Sequence, residues 1–140
     1  MNSVLEPIRV LLVDDHELVR AGLRLLIDSH ERLSVVGESN SRNGVLDLAS
    51  QEQPDIIVLD VDDDRAVDII PSLVDVACHA QVIVLTEGKH PDVQHEAVYR
   101  GAQGIVLKGH GPAMLLNAIQ KVYEGEVWMN PSMMARVLDM

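Results

Sequence analysis

Short apolar segments recur along the chain, and each is separated from the next by a longer segment with helical spacing. Five of them are rich in β-branched residues and read IRVLLV, LSVVG, DIIVLD, QVIVLT and GIVLKG. Strands that are apolar throughout, rather than in alternation, are covered on both faces, which is typical of a parallel sheet. The pattern therefore predicts five parallel strands joined by helical crossovers.

The intervening segments have the pattern of amphipathic helices. Four apolar residues after the first strand recur at helical intervals: Val19, Leu23, Leu26 and Ile27. A weaker second helix is predicted in SRNGVLDLASQ and a third over residues 66–77. Pro91 and Pro112 suit the first turns of a fourth and a fifth helix. This β-α order predicts a doubly wound α/β fold of about five strands and five helices.

Composition restricts the classes of function. A length of 140 residues fits one domain, and the net charge of −11, with no basic block, disfavours binding to nucleic acid. The sequence contains no apolar run of membrane-spanning length and no signal-peptide pattern at its start. Its single cysteine, Cys78, forms no internal disulfide. These features predict a cytoplasmic protein.

Polar side chains follow four of the predicted strands. Asp14 and Asp15 follow the first strand, Asp60 ends the third, Thr86 ends the fourth and Lys108 ends the fifth. In such sheets the ligand site lies at the carboxyl ends of the strands, so these side chains are expected to converge. A hard divalent cation such as Mg²⁺ turns the repulsion between clustered carboxylates into ligation. A phosphoryl group beside the metal would satisfy the hydroxyl and the ammonium.

With these residues in place, the chain resembles the receiver domains of two-component response regulators. The opening IRVLLVDDHELVRAGLRLLI is similar to the NarL/LuxR-type subgroup. The resemblance implies a flavodoxin-like, three-layer fold and a signalling module rather than an enzyme. It implies that Asp60 accepts a phosphoryl group from a sensor histidine kinase. Thr86 would bind the phosphoryl oxygen on activation, Lys108 would pair with it, and a homodimer would be a possible output.

The same resemblance implies a Mg²⁺ site. Asp15 and Asp60 would ligate the ion directly, Asp14 would act through water, and the backbone carbonyl of Asp62 would be a further ligand. Read without the resemblance, Asp14 and Asp15 are also suited to capping the first helix. The side chains of Asp63 and Asp64 are also typical of a solvated loop.

The sequence departs from the family pattern after the phosphoacceptor. The segment VDDDRAVDIIPS lacks the usual Met-Pro and Asp-Gly. The number of residues between Asp60 and Thr86 is also smaller than usual. Both features predict a loop and a third helix that differ in structure from those of typical members. Ile105 stands where an aromatic switch residue is common, and Glu87 stands where a small residue is usual. A carboxylate at position 87 would screen the site from anionic donors. These departures keep open a second function, a phosphorylation-independent interaction module.

An enzymatic alternative comes from another family. The stretch IIVLDVDDD also resembles the Asp-x-Asp signature of haloacid-dehalogenase-type phosphatases. In that family, however, the nucleophile strand lies near the start of the domain. Here the Asp14–Asp15 pair precedes it, and the chain is short for a cap that encloses a substrate, so this alternative is the weaker one.

The residues after the fifth helix resemble the stretch that leads into a helix-turn-helix domain in NarL/LuxR-type regulators. We therefore divide the chain into a receiver domain, residues 1–125, and a linker, residues 126–140, toward a DNA-binding output domain. Fifteen residues without a basic face are too few for a DNA-binding domain, so this chain alone is expected not to bind DNA. The expected partners are the kinase and the output domain.

Overall fold

A five-stranded parallel sheet forms the centre of the computed structural model, which describes residues 6–41, 43–61 and 66–139. The strands are β1 (Ile8–Val13), β2 (Leu33–Ser39), β3 (Ile56–Asp60), β4 (Gln81–Thr86) and β5 (Ala102–Leu107). Their order is β2-β1-β3-β4-β5, and every neighbouring pair is parallel. The predicted doubly wound, flavodoxin-like fold is confirmed.

Helices connect the strands and follow the last of them. They are α1 (Glu17–Asp28), α2 (Val45–Glu52), α3 (Ile70–Val76), α4 (Pro91–Tyr99), α5 (Pro112–Tyr123) and α6 (Pro131–Leu138). The predicted third helix divides into a 3₁₀ turn, Ala66–Ile69, and α3. The sequence did not predict α6. None of the helices in the described ranges combines the length and the apolar character needed to cross a membrane.

The core lies in two layers, one on each face of the sheet. Consecutive strand residues alternate between them, so that Leu11 packs toward α2, α3 and α4, whereas Val10 packs toward α1 and α5. The central strand β3 is buried along its whole length. Because both faces are covered, the strands need no polar face, and this explains their continuous apolar sequence.

The residues after α5 pack onto the receiver unit. The backbone N–H of Trp128 donates to the carbonyl of Gln103 at 3.1 Å, and the N–H of Ile105 donates to the carbonyl of Trp128 at 2.8 Å. Met133 on α6 is buried, and α6 contacts α4. Residues 126–139 therefore cover the β5 edge, and their role as a linker stays a prediction.

Candidate functional site

The strand ends bring Asp60 and Lys108 together. Asp60 is the last residue of the central strand β3 and pairs with Leu85 on β4. Thr86, the last residue of β4, pairs with Leu107 on β5. Lys108 follows β5 in a short 3₁₀ turn. Its long side chain reaches across the end of β4, so that Nζ lies 2.7 Å from Oδ2 of Asp60.

Asp14 and Asp60 are the buried carboxylates at this edge, with 1% and 8% of their surface exposed. The Asp14 Oδ1 atom accepts a hydrogen bond from the backbone N–H of His16 at 2.7 Å. Among the described residues, Asp14 Oδ2 and Asp60 Oδ1 have no hydrogen-bond partner, and Asp60 Oδ2 pairs with the Lys108 ammonium. Buried carboxylate oxygens normally have a partner, so these atoms indicate a binding site for a cation or for donors.

The environment of Asp60 perturbs its ionisation. Its pKa is raised from 3.8 to about 7, chiefly by burial. The nearby carboxyl of Asp14 raises the pKa further, and the Lys108 ammonium lowers it and offsets part of the rise. When no cation is bound, the protonated form of Asp60 therefore persists to a higher pH than that of an exposed aspartate. A cation at this site would favour the ionised, nucleophilic form.

Asp15 is held away from the other two carboxylates by the loop after β2. Its Oδ1 accepts a hydrogen bond from the Ser41 backbone N–H at 2.7 Å, and the Ser41 hydroxyl lies 3.0 Å from each carboxylate oxygen. Across the described residues, no three His, Cys, Asp or Glu side chains form a group that could hold a metal ion. The predicted ligands Asp14, Asp15 and Asp60 are therefore not preassembled.

The donor set nevertheless fits Mg²⁺. Asp14 and Asp60 each present a buried, hard oxygen atom without a hydrogen-bond partner, and Mg²⁺ needs only one or two carboxylates besides water. Asp15 would join them by leaving Ser41. Asp62, whose backbone carbonyl is the fourth predicted ligand, and its acidic neighbours lie outside the described residues.

Thr86 lies buried at the end of β4, beside an open cavity of about 310 Å³. Its hydroxyl oxygen accepts a hydrogen bond from the Gly88 N–H at 3.2 Å, which leaves the hydroxyl hydrogen able to donate. Glu87 also lines the cavity, and its Oε2 lies 3.0 Å from Nζ of Lys89. This exposed ion pair offsets the negative charge that was expected to screen the site.

Ile105, at the position where an aromatic switch residue is common, is buried in the layer that faces α4. Its backbone N–H donates a hydrogen bond to the backbone carbonyl of Trp128. An isoleucine has no ring to rotate between an exposed and a buried position. The aromatic rotation that is common in the family is therefore not available at position 105.

Two residues near the site were missed by the sequence analysis. Ser41 binds Asp15, and Arg20 on α1 donates to the backbone carbonyl of Asp14 at 2.7 Å. Arg20 lies within the stretch IRVLLVDDHELVRAGLRLLI that carries the resemblance, but that stretch does not indicate its partner. For Ser41 the signal was topological, because the loop after β2 lies at the same sheet edge as the loop after β1.

Comparison with known proteins decides the family. Residues 10–120 match the family model of the response regulator receiver domain. This chain belongs to that family. Receiver domains are signalling modules rather than enzymes, so the family match does not favour the phosphatase alternative.

The relatives of this receiver domain are NarL/LuxR-type regulators, which confirms the resemblance. The nitrate/nitrite response regulator protein NarL of Escherichia coli is 29% identical over 130 residues, which are 91% of this chain and 60% of NarL. The transcriptional regulatory protein YdfI of Bacillus subtilis is 28% identical over 137 residues, which are 92% of this chain and 61% of YdfI. This chain thus spans 60% to 61% of the length of these relatives.

A solved structure shows the same fold. The crystal structure of a two-component response regulator of the LuxR family from Aurantimonas sp. SI85-9A1 superposes with a TM-score of 0.80 at 27% identity. The superposition covers 96% of this chain and 97% of that one. The likeness therefore includes residues on both sides of position 125.

Proposed function

We propose that this receiver domain is switched by phosphorylation of Asp60. The observation that carries the proposal is the pair of buried carboxylates, Asp14 and Asp60, each of which has an oxygen without a hydrogen-bond partner, while the Lys108 ammonium lies 2.7 Å from the other oxygen of Asp60. Such a site binds a cation and an anion side by side. A phosphoryl group in transfer needs this combination, because its charge must be neutralised as it approaches a carboxylate.

The transfer uses the ionised form of Asp60. One carboxylate oxygen attacks phosphorus, and the bond between phosphorus and the histidine nitrogen of a sensor kinase breaks. The electron pair of that bond stays on the imidazole, which takes up a proton. Asp15, Asp60 and the backbone carbonyl of Asp62 would hold Mg²⁺ directly, Asp14 would hold it through water, and the bound ion would supply positive charge to the phosphoryl oxygens.

Lys108 and Thr86 bind the new phosphoryl group. The Lys108 ammonium exchanges the Asp60 oxygen for a phosphoryl oxygen, and the Thr86 hydroxyl donates to another. Thr86 pairs with Leu107, so its movement is passed directly to β5. The face formed by α4, β5 and α5 then changes, which favours a homodimer or releases an output domain.

The partners belong to the same proposal. They are a sensor histidine kinase and a DNA-binding output domain, and the cellular location is the cytoplasm. The similarity to NarL, a response regulator, and to YdfI, a transcriptional regulatory protein, supports this assignment. We assign residues 1–125 to the receiver and residues 126–140 to the approach to the output domain. The net charge of −11 argues against DNA binding by this chain alone.

Intact-mass measurement after incubation with acetyl phosphate and Mg²⁺ tests the proposal. The wild type and Asp75→Asn, a control variant at an exposed position on α3, are expected to gain one phosphoryl group each. Asp60→Asn is expected to gain none. If the wild type gains none while calorimetry shows no Mg²⁺ binding, the phosphorylation-independent module becomes the better function. Labelling of Asp60→Asn at another aspartate would refute the assignment of the acceptor.

A further inference from the structure

A series of charged side chains joins α1 to β2 and ends on the loop between β1 and α1. Arg20 Nη1 donates to the backbone carbonyl of Asp14 at 2.7 Å, and its Nε lies 3.1 Å from Oε1 of Glu38. Arg24, one helical turn later, donates from Nη1 to Oε2 of Glu38 at 2.7 Å. Each oxygen of Glu38 thus binds one arginine, and Arg20 is the one that also binds the loop.

The contacts hold Arg20 in a defined geometry. The side chains of Arg20 and Glu38 are mostly buried, with 18% and 28% of their surface exposed. Burial raises the pKa of Glu38, but the hydrogen bonds from Arg24 and Arg20 outweigh burial and hold the pKa below its ordinary 4.5. A planar guanidinium with two fixed acceptors has little freedom left.

Residues of strand β2 hold both the backbone N–H and, through Arg20, the backbone carbonyl of Asp14. The Asp14 N–H donates to the carbonyl of Ser39 at 3.0 Å. The Asp14 carbonyl is held by Arg20, which is itself held by Glu38, the residue before Ser39. The contact with Ser39 holds the peptide before Asp14, and the contact with Arg20 sets the plane of the peptide between Asp14 and Asp15, whose flanking Cα atoms carry both carboxylates.

We propose that Arg20 is a positioning residue for magnesium binding, because it fixes the loop that carries Asp14 and Asp15. The inference rests on the proposed function, since that function supplies the magnesium site. Without the guanidinium the peptide plane can rotate, and both carboxylates lose their starting position. Loss of a group that orients metal ligands typically weakens metal binding by about tenfold or more. At saturating Mg²⁺ the rate of phosphorylation should change less than the affinity, because bound metal itself orders the loop.

Arg20→Gln and Arg24→Gln form a matched pair for the test. Both substitutions remove one arginine of α1 from Glu38, but only the first removes a contact with the loop. We expect Arg20→Gln to raise the Mg²⁺ dissociation constant, measured by isothermal titration calorimetry, by about tenfold. Arg24→Gln should leave the constant near that of the wild type, with a comparable decrease in the melting temperature. Equal dissociation constants in the two variants would overturn the inference.

Two further variants separate position from charge and guard against misfolding. Arg20→Lys keeps the positive charge but cannot bind Glu38 and the Asp14 carbonyl with the same fork, so it should bind Mg²⁺ nearly as weakly as Arg20→Gln. Wild-type affinity in Arg20→Lys would show that charge, not position, matters. Glu38→Gln weakens the anchor of Arg20, and it should raise the dissociation constant by less than Arg20→Gln does. If Arg20→Gln does not fold, an unchanged constant in Glu38→Gln contradicts the inference.

Failure of the inference is distinct from failure of the proposed function. If the wild type binds no Mg²⁺ and gains no phosphoryl group, both are wrong. If the wild type binds Mg²⁺ and is labelled at Asp60, but Arg20→Gln titrates like the wild type, only the role of Arg20 is wrong. The dependence of the labelling rate on Mg²⁺ concentration gives an independent readout. Arg20→Gln should shift the concentration for half-maximal rate more than the maximal rate.

Discussion

The buried carboxyl of Asp60 should make the free energy of unfolding fall as pH rises through the weakly acidic range. Its pKa is raised from 3.8 to about 7 in the folded protein. Between these values the native state binds more protons than the unfolded state, so stability decreases as pH increases from about 4 to about 7. One pH unit corresponds to about 1.4 kcal/mol, so ionising Asp60 in the folded, cation-free protein costs about 4 kcal/mol.

Asp60→Asn removes this ionisation with little change in shape. As pH rises, the free energy of unfolding of the variant should therefore increase relative to that of the wild type. Between about pH 4 and about pH 8.5 this relative increase should be about 4 kcal/mol. Domains of this size are usually stable by about 5–15 kcal/mol, so the effect is large enough to measure. Urea unfolding at a series of pH values, without divalent cations, gives the two curves.

The comparison contains its own controls. All other ionisable residues are the same in both proteins, so contributions that they share cancel in the difference. The exposed variant Asp75→Asn should run parallel to the wild type. Parallel curves for Asp60→Asn and the wild type between pH 4 and pH 8.5 would refute the reasoning. Mg²⁺ provides a second check, since it should stabilise the wild type more than Asp60→Asn at alkaline pH.

The remaining predictions concern the neighbours of Asp60. Lys108→Ala removes the ammonium 2.7 Å from Asp60, so the pKa of Asp60 should rise above about 7 and labelling by acetyl phosphate should slow. A carboxyl NMR titration measures this, and an unchanged or lower pKa would count against the ion pair. Asp14→Asn removes the second carboxylate, so the pKa of Asp60 should fall in the same titration, whereas a rise would contradict the proximity of the two groups. Ser41→Ala removes the hydroxyl contacts of Asp15 and keeps the backbone hydrogen bond, so it should loosen Asp15 and strengthen Mg²⁺ binding in calorimetry, and unaltered or weaker binding would show that the hydroxyl does not restrain Asp15.

The strands could be predicted because their sequence is apolar on both faces. β1 and β4 have the predicted bounds, since a charged or polar residue follows each apolar run directly. β5 begins at Ala102 rather than at the predicted Gly104. The glycine suggested a boundary, but the strand continues through it with a shift in register against β4. Gly104 is needed because a Cβ there would lie 3.3 Å from Ile83 and from Val122.

Helix α6 could not be predicted from propensity alone. It has only eight residues, and a helix of this length is marginal in water without tertiary packing. Its stability comes from Met133, which is buried, and from Asn130, whose side-chain oxygen accepts the Met133 N–H at 2.7 Å. The Asn130 contact is local, but the burial of Met133 depends on where α4 and β5 lie, which local sequence does not encode.

The candidate site was predictable in its placement but not in its detailed contacts. The position of a residue at a strand end follows from the pattern of strands, and this brought Asp60 and Lys108 together. The hydrogen bonds of Asp15 with Ser41 join residues 26 positions apart in the chain. A side chain at a loop chooses among several partners of similar energy, and that choice depends on the conformation of the neighbouring loop.

Trp128 is the only tryptophan in the chain, and it bridges the edge strand β5. Its fluorescence can therefore be excited without contribution from any other indole. The emission of the unlabelled protein reports the surroundings of a single side chain next to Ile105. A change at β5 can be followed in a stopped-flow instrument, at protein concentrations well below those that calorimetry requires. The receiver thus contains its own optical probe at the strand that is expected to carry its signal.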